Sequence, residues 1–408
     1  MLILENTRLL DLESGEARPG SHVLIEGDSI VEVADRPLKS TSARRIDLNG
    51  RTLLPGLIDA HFHAVLTESN PAHSRQIPLT LMTGRAAQLL RRALDRGFTT
   101  VRDMGGADWG LRTALAEKTI VGPRIYIAAR GLSQTGGHGD LRARVDTDEP
   151  CGCSSALPLL STVADGVPSV QATAREQLRQ GADHLKVFVS GGVVSPNDPL
   201  LSVQYTHEEL AAVVLEAKSW GTYVAAHAYS AAAITHAVSA GIRTIEHGNL
   251  LDESAAALMA ERNAYLVPTL VTYEALRNRG APLGLSPFSM EKLATVFAAG
   301  VRSIEIANRA GVRIGFGTDL LGDMHAHQSD ELTLRARAQS PLDVLRSATL
   351  VNAQIVGASG RLGVIKPGAV ADLIALQGDP LADLTLLQEQ GRHLDLIVKA
   401  GDIHKLTF

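Results

Sequence analysis

PGLIDAHFH, residues 55–63, runs an apolar stretch into two histidines separated by one residue. Alternate side chains of a strand share a face, so His61 and His63 would project together from its end. Two imidazoles so placed can hold one metal ion. The reading of the rest of the chain follows from asking what kind of fold carries such a strand.

Short apolar strands are expected at 53–63, 99–105, 124–132, 184–190, 222–228, 244–248, 265–270 and 313–319. Helical periodicity falls between them, at 82–96, 170–180, 207–219, 230–240, 252–262 and 291–310. Strands alternating with helices imply a parallel sheet, and eight such units imply an α/β fold of the (β/α)8 TIM-barrel type. No glycine-rich dinucleotide fingerprint follows the first strand, which weakens an open doubly wound sheet. Before residue 52 and after 360 the texture is different. HVLIEG (22–27), SIVEVA (29–34) and DLIVKAGDI (395–403) are short β-like runs set off by turn residues. A composite β-sandwich from 1–52 and 360–408 is therefore expected, flanking a barrel domain at 53–359. The connection from 133 to 169 is long for a loop in such a fold and opens on GGHGD, which favours a functional role.

Composition narrows the partners. The 408 residues carry a formal net charge of −5, with 45% hydrophobic, 20% charged and only 4% aromatic residues. That balance offers no electrostatic footprint for nucleic acid and few rings on which bases could stack. No apolar run is long enough to span a membrane, and the N-terminal stretch has acids where a signal peptide needs basic residues. A cytoplasmic location is the expectation, though a secretion signal already removed would leave no trace. The two cysteines, Cys151 and Cys153, are too few and too close for a disulfide framework or a zinc-finger half-site.

Further metal-binding candidates sit at the ends of other predicted strands, the face on which barrel enzymes build active sites. Lys186 lies inside the apolar strand HLKVFVS, where an unpaired ammonium is costly to bury. It either reaches the strand end or pairs with an acid, or it has taken up carbon dioxide to become an anionic carbamate able to bridge two ions. His227 ends the fifth expected strand in VAAHAYS, His247 the sixth in IEHGN, and Asp319 the eighth in GFGTD, where a carboxylate suggests a ligand or general base. Each is weak alone, and their agreement on one end of the fold is the stronger signal.

PGLIDAHFH, the strand bearing Lys186, His227, His247 and GTD together resemble the amidohydrolase superfamily over nearly the whole chain, and KPGAVADLIAL (366–376) is similar to its return to the terminal sandwich. TTVRDMGG, GLSQTGGHGD, KVFVSGGV, AAHAYS and TIEHG further resemble the imidazolonepropionase-like branch that holds Xaa-Pro and Xaa-Arg/Lys dipeptidases and ochratoxin-hydrolysing amidases. Phe62 and Ala64 are slight departures within the first motif. The resemblance implies two divalent ions, most readily Zn2+. His61 and His63 would hold the more buried ion, His227 and His247 the more exposed one, and carbamylated Lys186 would bridge them. Asp319 would bind the buried ion and shuttle the proton. His138 and Tyr229 would help hold the substrate.

The activity so implied is hydrolysis of an amide or peptide bond by a hydroxide bridging two metals, releasing a C-terminal amino acid from a dipeptide or N-acyl amino acid. The alternative within the same superfamily is a cyclic-amide hydrolase or a deaminase of a heterocycle. Tyr229 is either an oxyanion donor or an ordinary lid residue. Gly191, Gly192 and Val193, after Ser190, either line the pocket through backbone N–H groups or form a tight turn. Arg102 either meets a substrate carboxylate or pairs with neighbouring Asp103. A homo-oligomer is expected, as closed symmetry is the common default.

Overall fold

The computed structural model describes all residues except 41, 71–73, 75–76, 143–159, 196–197 and 281. Five strands come first: β1 (Leu2–Asp11), β2 (Glu16–Glu26), β3 (Ser29–Ala34), β4 (Arg44–Asp47) and β5 (Thr52–Pro55). A parallel set follows, β6 (Leu57–Phe62), β7 (Phe98–Asp103) and β8 (Arg124–Ile127). A second parallel set comprises β9 (Gly131–Ser133), β10 (Ser161–Val163), β11 (Leu185–Phe188), β12 (Val224–Ser230), β13 (Thr244–Leu250), β14 (Tyr265–Val267) and β15 (Arg313–Ile314). The chain ends with β16 (Leu373–Leu376), β17 (Leu394–Lys399) and β18 (Asp402–Leu406). The protein is thus an α/β fold whose central strands run parallel, with helices between them.

Both chain ends share one sheet of eight strands, ordered β18-β17-β16-β5-β1-β2-β3 with β4 beside β1. The expected sandwich is instead this single mixed sheet, bent so that its β3 end meets the segment before β16. Ile30 N–H donates to Ala369 C=O at 2.8 Å and Ala371 N–H to Asp28 C=O at 2.8 Å. Leu4, Val23, Ile25, Leu53, Leu373 and Val398 fill its interior. Burying such side chains contributes about 1.5–3 kcal/mol each, which is what holds two ends of the sequence together.

Four predicted strands are corrected. The run 53–63 divides at Gly56: Thr52–Pro55 pairs antiparallel with β16, while β6 pairs with β7. A Cβ at Gly56 would lie 2.2 Å from the Thr99 hydroxyl, so only glycine lets the chain cross there. The run 124–132 divides at Ala129, whose φ of 55° breaks extended backbone, and the two pieces enter different sheets. The run 265–270 stops at Val267, because Pro268 has no N–H to donate to a ladder, and a helix starts at Leu270. The run 313–319 is regular only over β15, and beyond it Gly317 lies against the His61 backbone and Cβ. The connection 133–169 contains β10, paired parallel with β9, and its residues 143–159, including Cys151 and Cys153, lie outside the described residues.

Backbone hydrogen bonds link the two parallel sheets at both margins. Ala60 N–H donates to Phe316 C=O at 2.8 Å, and Asp319 N–H to His61 C=O at 2.8 Å. On the other side, Asp183 N–H donates to Ile127 C=O at 2.7 Å. The helices cover the outside with apolar stripes of 3.6-residue period. Along Leu79–Asp95 the buried residues are Met82, Ala86, Leu89, Leu90, Ala93 and Leu94. The helix His207–Ser219 starts at a capping box, Thr206 Oγ1 accepting from Glu209 N–H while Glu209 accepts from Thr206 N–H, worth about 1 kcal/mol. No helix among the described residues is long and apolar enough to cross a membrane.

Candidate active site

Parallel pairing in register sets the site. Phe188 lies opposite His227 in β11–β12, and His227 and Ala228 lie opposite Glu246 and His247 in β12–β13. With His61 from β6, His63 just past it and Asp319 after β15, these segments surround one cleft of about 650 Å³ including its open mouth. All six residues expected to hold metal line it: His61, His63, Lys186, His227, His247 and Asp319. The ring centroids of His61 and His247 are 4.8 Å apart, and those of His227 and His247 are 4.6 Å apart.

The hydrogen-bond network fixes which ring nitrogens face inward. His61 Nδ1 contacts Glu246 Oε2 at 2.8 Å and His63 Nδ1 contacts Gly105 C=O at 3.2 Å, both acceptors, so each Nδ1 carries the proton. Their Nε2 atoms are left as lone pairs, and these lie 3.3 and 3.1 Å from Asp319 Oδ1. Without a cation a proton can bridge these atoms, and Asp319 accordingly raises His63 above its ordinary value; with both imidazoles neutral the same atoms offer two lone pairs and a carboxylate oxygen. That convergence of acceptors fits a cation, held by ligands whose other ring nitrogens are anchored to protein oxygens. One ligand atom from each of His61, His247 and Asp319 lies within 4.8 Å of the others. His227 Nε2 donates to Gly191 C=O at 3.1 Å, which leaves its Nδ1 as the acceptor.

His247 reaches the cleft by a backbone device. Glu246 and His247 are adjacent on β13 and would point to opposite faces, yet Glu246 touches His61 and the His247 ring packs on His61. Positive φ at His247, 73°, turns its side chain back toward the site, and Asp319 has φ of 53°. Left-handed backbone at these two non-glycine residues costs about 1–3 kcal/mol each.

Charge in the site follows from burial and pairing. Burial pushes the Glu246 carboxyl up, but the Arg102 guanidinium and His61 outweigh it and hold it well below the usual range. Arg102 binds both Glu246 oxygens, at 2.8 and 2.9 Å, and donates to Ala60 C=O at 2.6 Å. Arg102 is thus fully committed to this buried pair and meets neither a substrate carboxylate nor Asp103. Asp103 accepts instead from the N–H groups of Ala64, Gly105 and Ala107. Glu246 carried no signal of its own in the sequence. Its partner is 144 residues away, and only the strand register brings them together.

Lys186 is buried, and burial pulls its ammonium down to about 8 despite the favourable fields of Glu246 and Asp319. No hydrogen bond to its Nζ is found among the described residues, and the Phe188 ring centroid lies 5.4 Å away. Burial likewise raises Asp319, and contacts with His61, His63 and His247 bring it well below the ordinary carboxylate range. It is ionised at neutral pH.

His138 and Tyr229 flank the His227 ring, with centroids 4.3 and 4.7 Å from it. A polar chain runs from His247 Nδ1 to Thr269 Oγ1 (2.9 Å), on to the Tyr273 hydroxyl (3.5 Å) and then to the Tyr229 hydroxyl (3.0 Å). Tyr273 donates to Tyr229, so the Tyr229 proton is free to face the cleft. Val193 lines the cleft, but the glycines before it do not serve as donors to it. Gly191 N–H donates to Ser202 C=O at 3.3 Å and Gly192 N–H to Asp198 Oδ2 at 3.0 Å. Gly192 makes room: a Cβ there would lie 1.9 Å from His138 Cε1. Gly192→Ala should push His138 off its stack and lower kcat/KM about ten- to hundredfold with metal content unchanged, checked by steady-state kinetics beside metal analysis.

Residues 52–403 match the model of the Amidohydrolase family. The chain is 32% identical to an ochratoxinase of Aspergillus niger over 393 residues, 92% of this chain and 80% of the relative. Among solved structures it is similar to a prolidase crystallised with N-methylphosphonate-L-proline, with TM-score 0.97, 46% identity and 99% of each chain covered. It is also similar to a Xaa-Pro dipeptidase with methionine bound in its active site, with TM-score 0.88, 30% identity and 99% of each chain covered.

Proposed function

Because the chain belongs to the amidohydrolase family, we propose that it is a binuclear metal-dependent amidase that releases a C-terminal amino acid from dipeptides or N-acyl amino acids. The observation that carries this reading is the convergence of His61 Nε2, His63 Nε2 and Asp319 Oδ1, with His227, His247 and Lys186 lining the same cleft. The likeness to a prolidase, a Xaa-Pro dipeptidase and an ochratoxinase supports amide bonds to an amino acid as the substrate class. On this reading the two parallel sheets make one closed (β/α)8 barrel over 53–359, and the mixed sheet of both termini is a separate composite domain. The protein is further taken to be a homo-oligomer acting on small molecules, without nucleic acid or membrane partners.

His61 and His63 would hold one divalent ion with Asp319, and His227 and His247 the other. Lys186 would bridge them as a carbamate: its neutral Nζ adds to carbon dioxide, an N–C bond forms and one proton leaves to solvent. Its lowered pKa, about 8, provides the neutral amine, and the carbamate offers two oxygens suited to zinc. When bound, the ions polarise the scissile carbonyl and acidify the attacking water.

The chain's own groups do the rest. Asp319, ionised, accepts the proton of the attacking water and passes it to the leaving amine nitrogen. Tyr229, its hydroxyl oxygen held by Tyr273, donates its proton toward the developing oxyanion. Glu246 and Thr269 keep His61 and His247 in the tautomers the site needs. His138 shapes the wall opposite.

Tyr229→Phe should lower kcat about a hundredfold while metal content stays that of the parent, measured by kinetics and metal analysis. The substrate class is tested by incubating the metal-loaded protein with a dipeptide library varied at the C-terminal residue, together with an N-acyl phenylalanine. Release of free amino acid is the expected result. Turnover of heterocyclic amides or amidines alone would move the reading to a cyclic-amide hydrolase or deaminase.

A further inference from the structure

We propose that a second cleft, separate from the metal cleft, binds a small oxyanion such as a phosphate or carboxylate. It encloses about 940 Å³ including its mouth and is lined by the helix Leu79–Asp95 on one side and the turn Gly322–His327 on the other. Arg85, Gln88 and Arg92 recur at intervals of three and four residues, so one helical stripe faces it, and Arg96 continues the stripe just past the helix end.

Unused hydrogen-bonding capacity concentrates there. Arg96 is 1% exposed; its Nε donates to Gln328 Oε1 at 3.0 Å and its Nη1 to Gln390 Oε1 at 2.9 Å, while its Nη2 has no partner. His325, 3% exposed, makes no close hydrogen bond from either ring nitrogen, though the His63 backbone is within its reach, and Thr67 Oγ1 has no partner. Three lining residues thus hold buried polar atoms that make no close hydrogen bond, and leaving such a group unsatisfied costs about 1–3 kcal/mol. Arg96 and Thr67 supply only donors to an incoming group or can do so, as can a neutral His325 through one N–H. The matching ligand is rich in acceptors. Burial pulls the Arg96 guanidinium down to about 10, yet it remains cationic at neutral pH.

The local charge agrees. Arg85 pairs with Glu68, and the one acid lining the cleft, Asp323, is engaged by Arg279 at 2.7 Å and by Ser69. Neither Arg92 nor Arg96 forms an ion pair among the described residues, although Asp59, Asp95 and Asp330 lie near enough to Arg96 to favour its charge. Charge-assisted bonds from guanidinium groups are the strongest available to an oxyanion, and Arg presents them as a fork.

Inorganic phosphate and acetate, each titrated at constant ionic strength, distinguish the two sources of the anion. Binding is read as the shift in melting temperature of the wild type, Arg92→Glu, Arg96→Met and Asp319→Asn, each against its own baseline. At least one anion should stabilise the wild type and Asp319→Asn saturably, and Arg92→Glu should weaken it at least about tenfold. Arg92 is exposed, so its variant folds even where Arg96→Met does not. Unchanged affinity in Arg92→Glu would overturn the proposal, as would loss of binding in Asp319→Asn, which would place the anion at the metal cleft, or no saturable stabilisation by either anion.

Discussion

Asp319→Asn should lower kcat/KM for amide hydrolysis at least about a thousandfold. The side chain has two tasks that an amide cannot perform. Its Oδ1 lies 3.3 and 3.1 Å from the inward Nε2 atoms of His61 and His63, so its negative charge is part of what makes a cation welcome there. On the proposed mechanism it also carries a proton from the attacking water to the leaving nitrogen, a role worth about 10²–10⁴ in rate. Losing both effects together justifies the larger end of that range. Steady-state kinetics on the folded variant checks it, with folding confirmed by circular dichroism. A variant that kept a tenth of wild-type activity would show that proton transfer runs through another group.

Glu246→Gln should destabilise the protein by about 3–5 kcal/mol, the usual loss when one member of a buried ion pair is removed. Arg102 and Glu246 are both fully buried, and Arg102 pairs with no other carboxylate among the described residues. A glutamine would present an NH2 group to a guanidinium that can only donate, and would loosen the hold on His61 Nδ1. Urea titration measures the loss. The double variant Arg102→Met/Glu246→Gln, which removes the stranded charge, should be less destabilised than the two single changes summed. A single variant within about 0.5 kcal/mol of wild type would mean that the pair is solvated or compensated elsewhere.

The candidate metal ligands were legible because each is a polar residue in or just after an apolar strand. His61 and His63 obey the two-residue period of a strand, and His227 is the one imidazole within the small, apolar opening of VAAHAYS. Lys186 stood out for the same reason, as a charge inside HLKVFVS. The alternation of strands and helices gave the parallel α/β fold, since periodicity is a local property. What escaped were features set by distant parts of the chain. The division of RIYIAARGL into two strands turns on a positive φ at Ala129, where neither glycine nor proline announces it. Arg102 looked available to a substrate because Glu246 is far away in sequence. His247 shows the limit most clearly: strand alternation would set it opposite Glu246, and the left-handed backbone that brings both to the site has no sequence mark except the following Gly248. The glycines of SGGV were visible, but their reason, the His138 ring packed on Gly192, was not.

Counting divalent ions per chain in fully active protein, by elemental analysis alongside activity, tests the binuclear site most directly. Two ions per chain, lost to a chelator in step with activity, is the expected result. Full activity with one ion or none would contradict the bridged pair at Lys186.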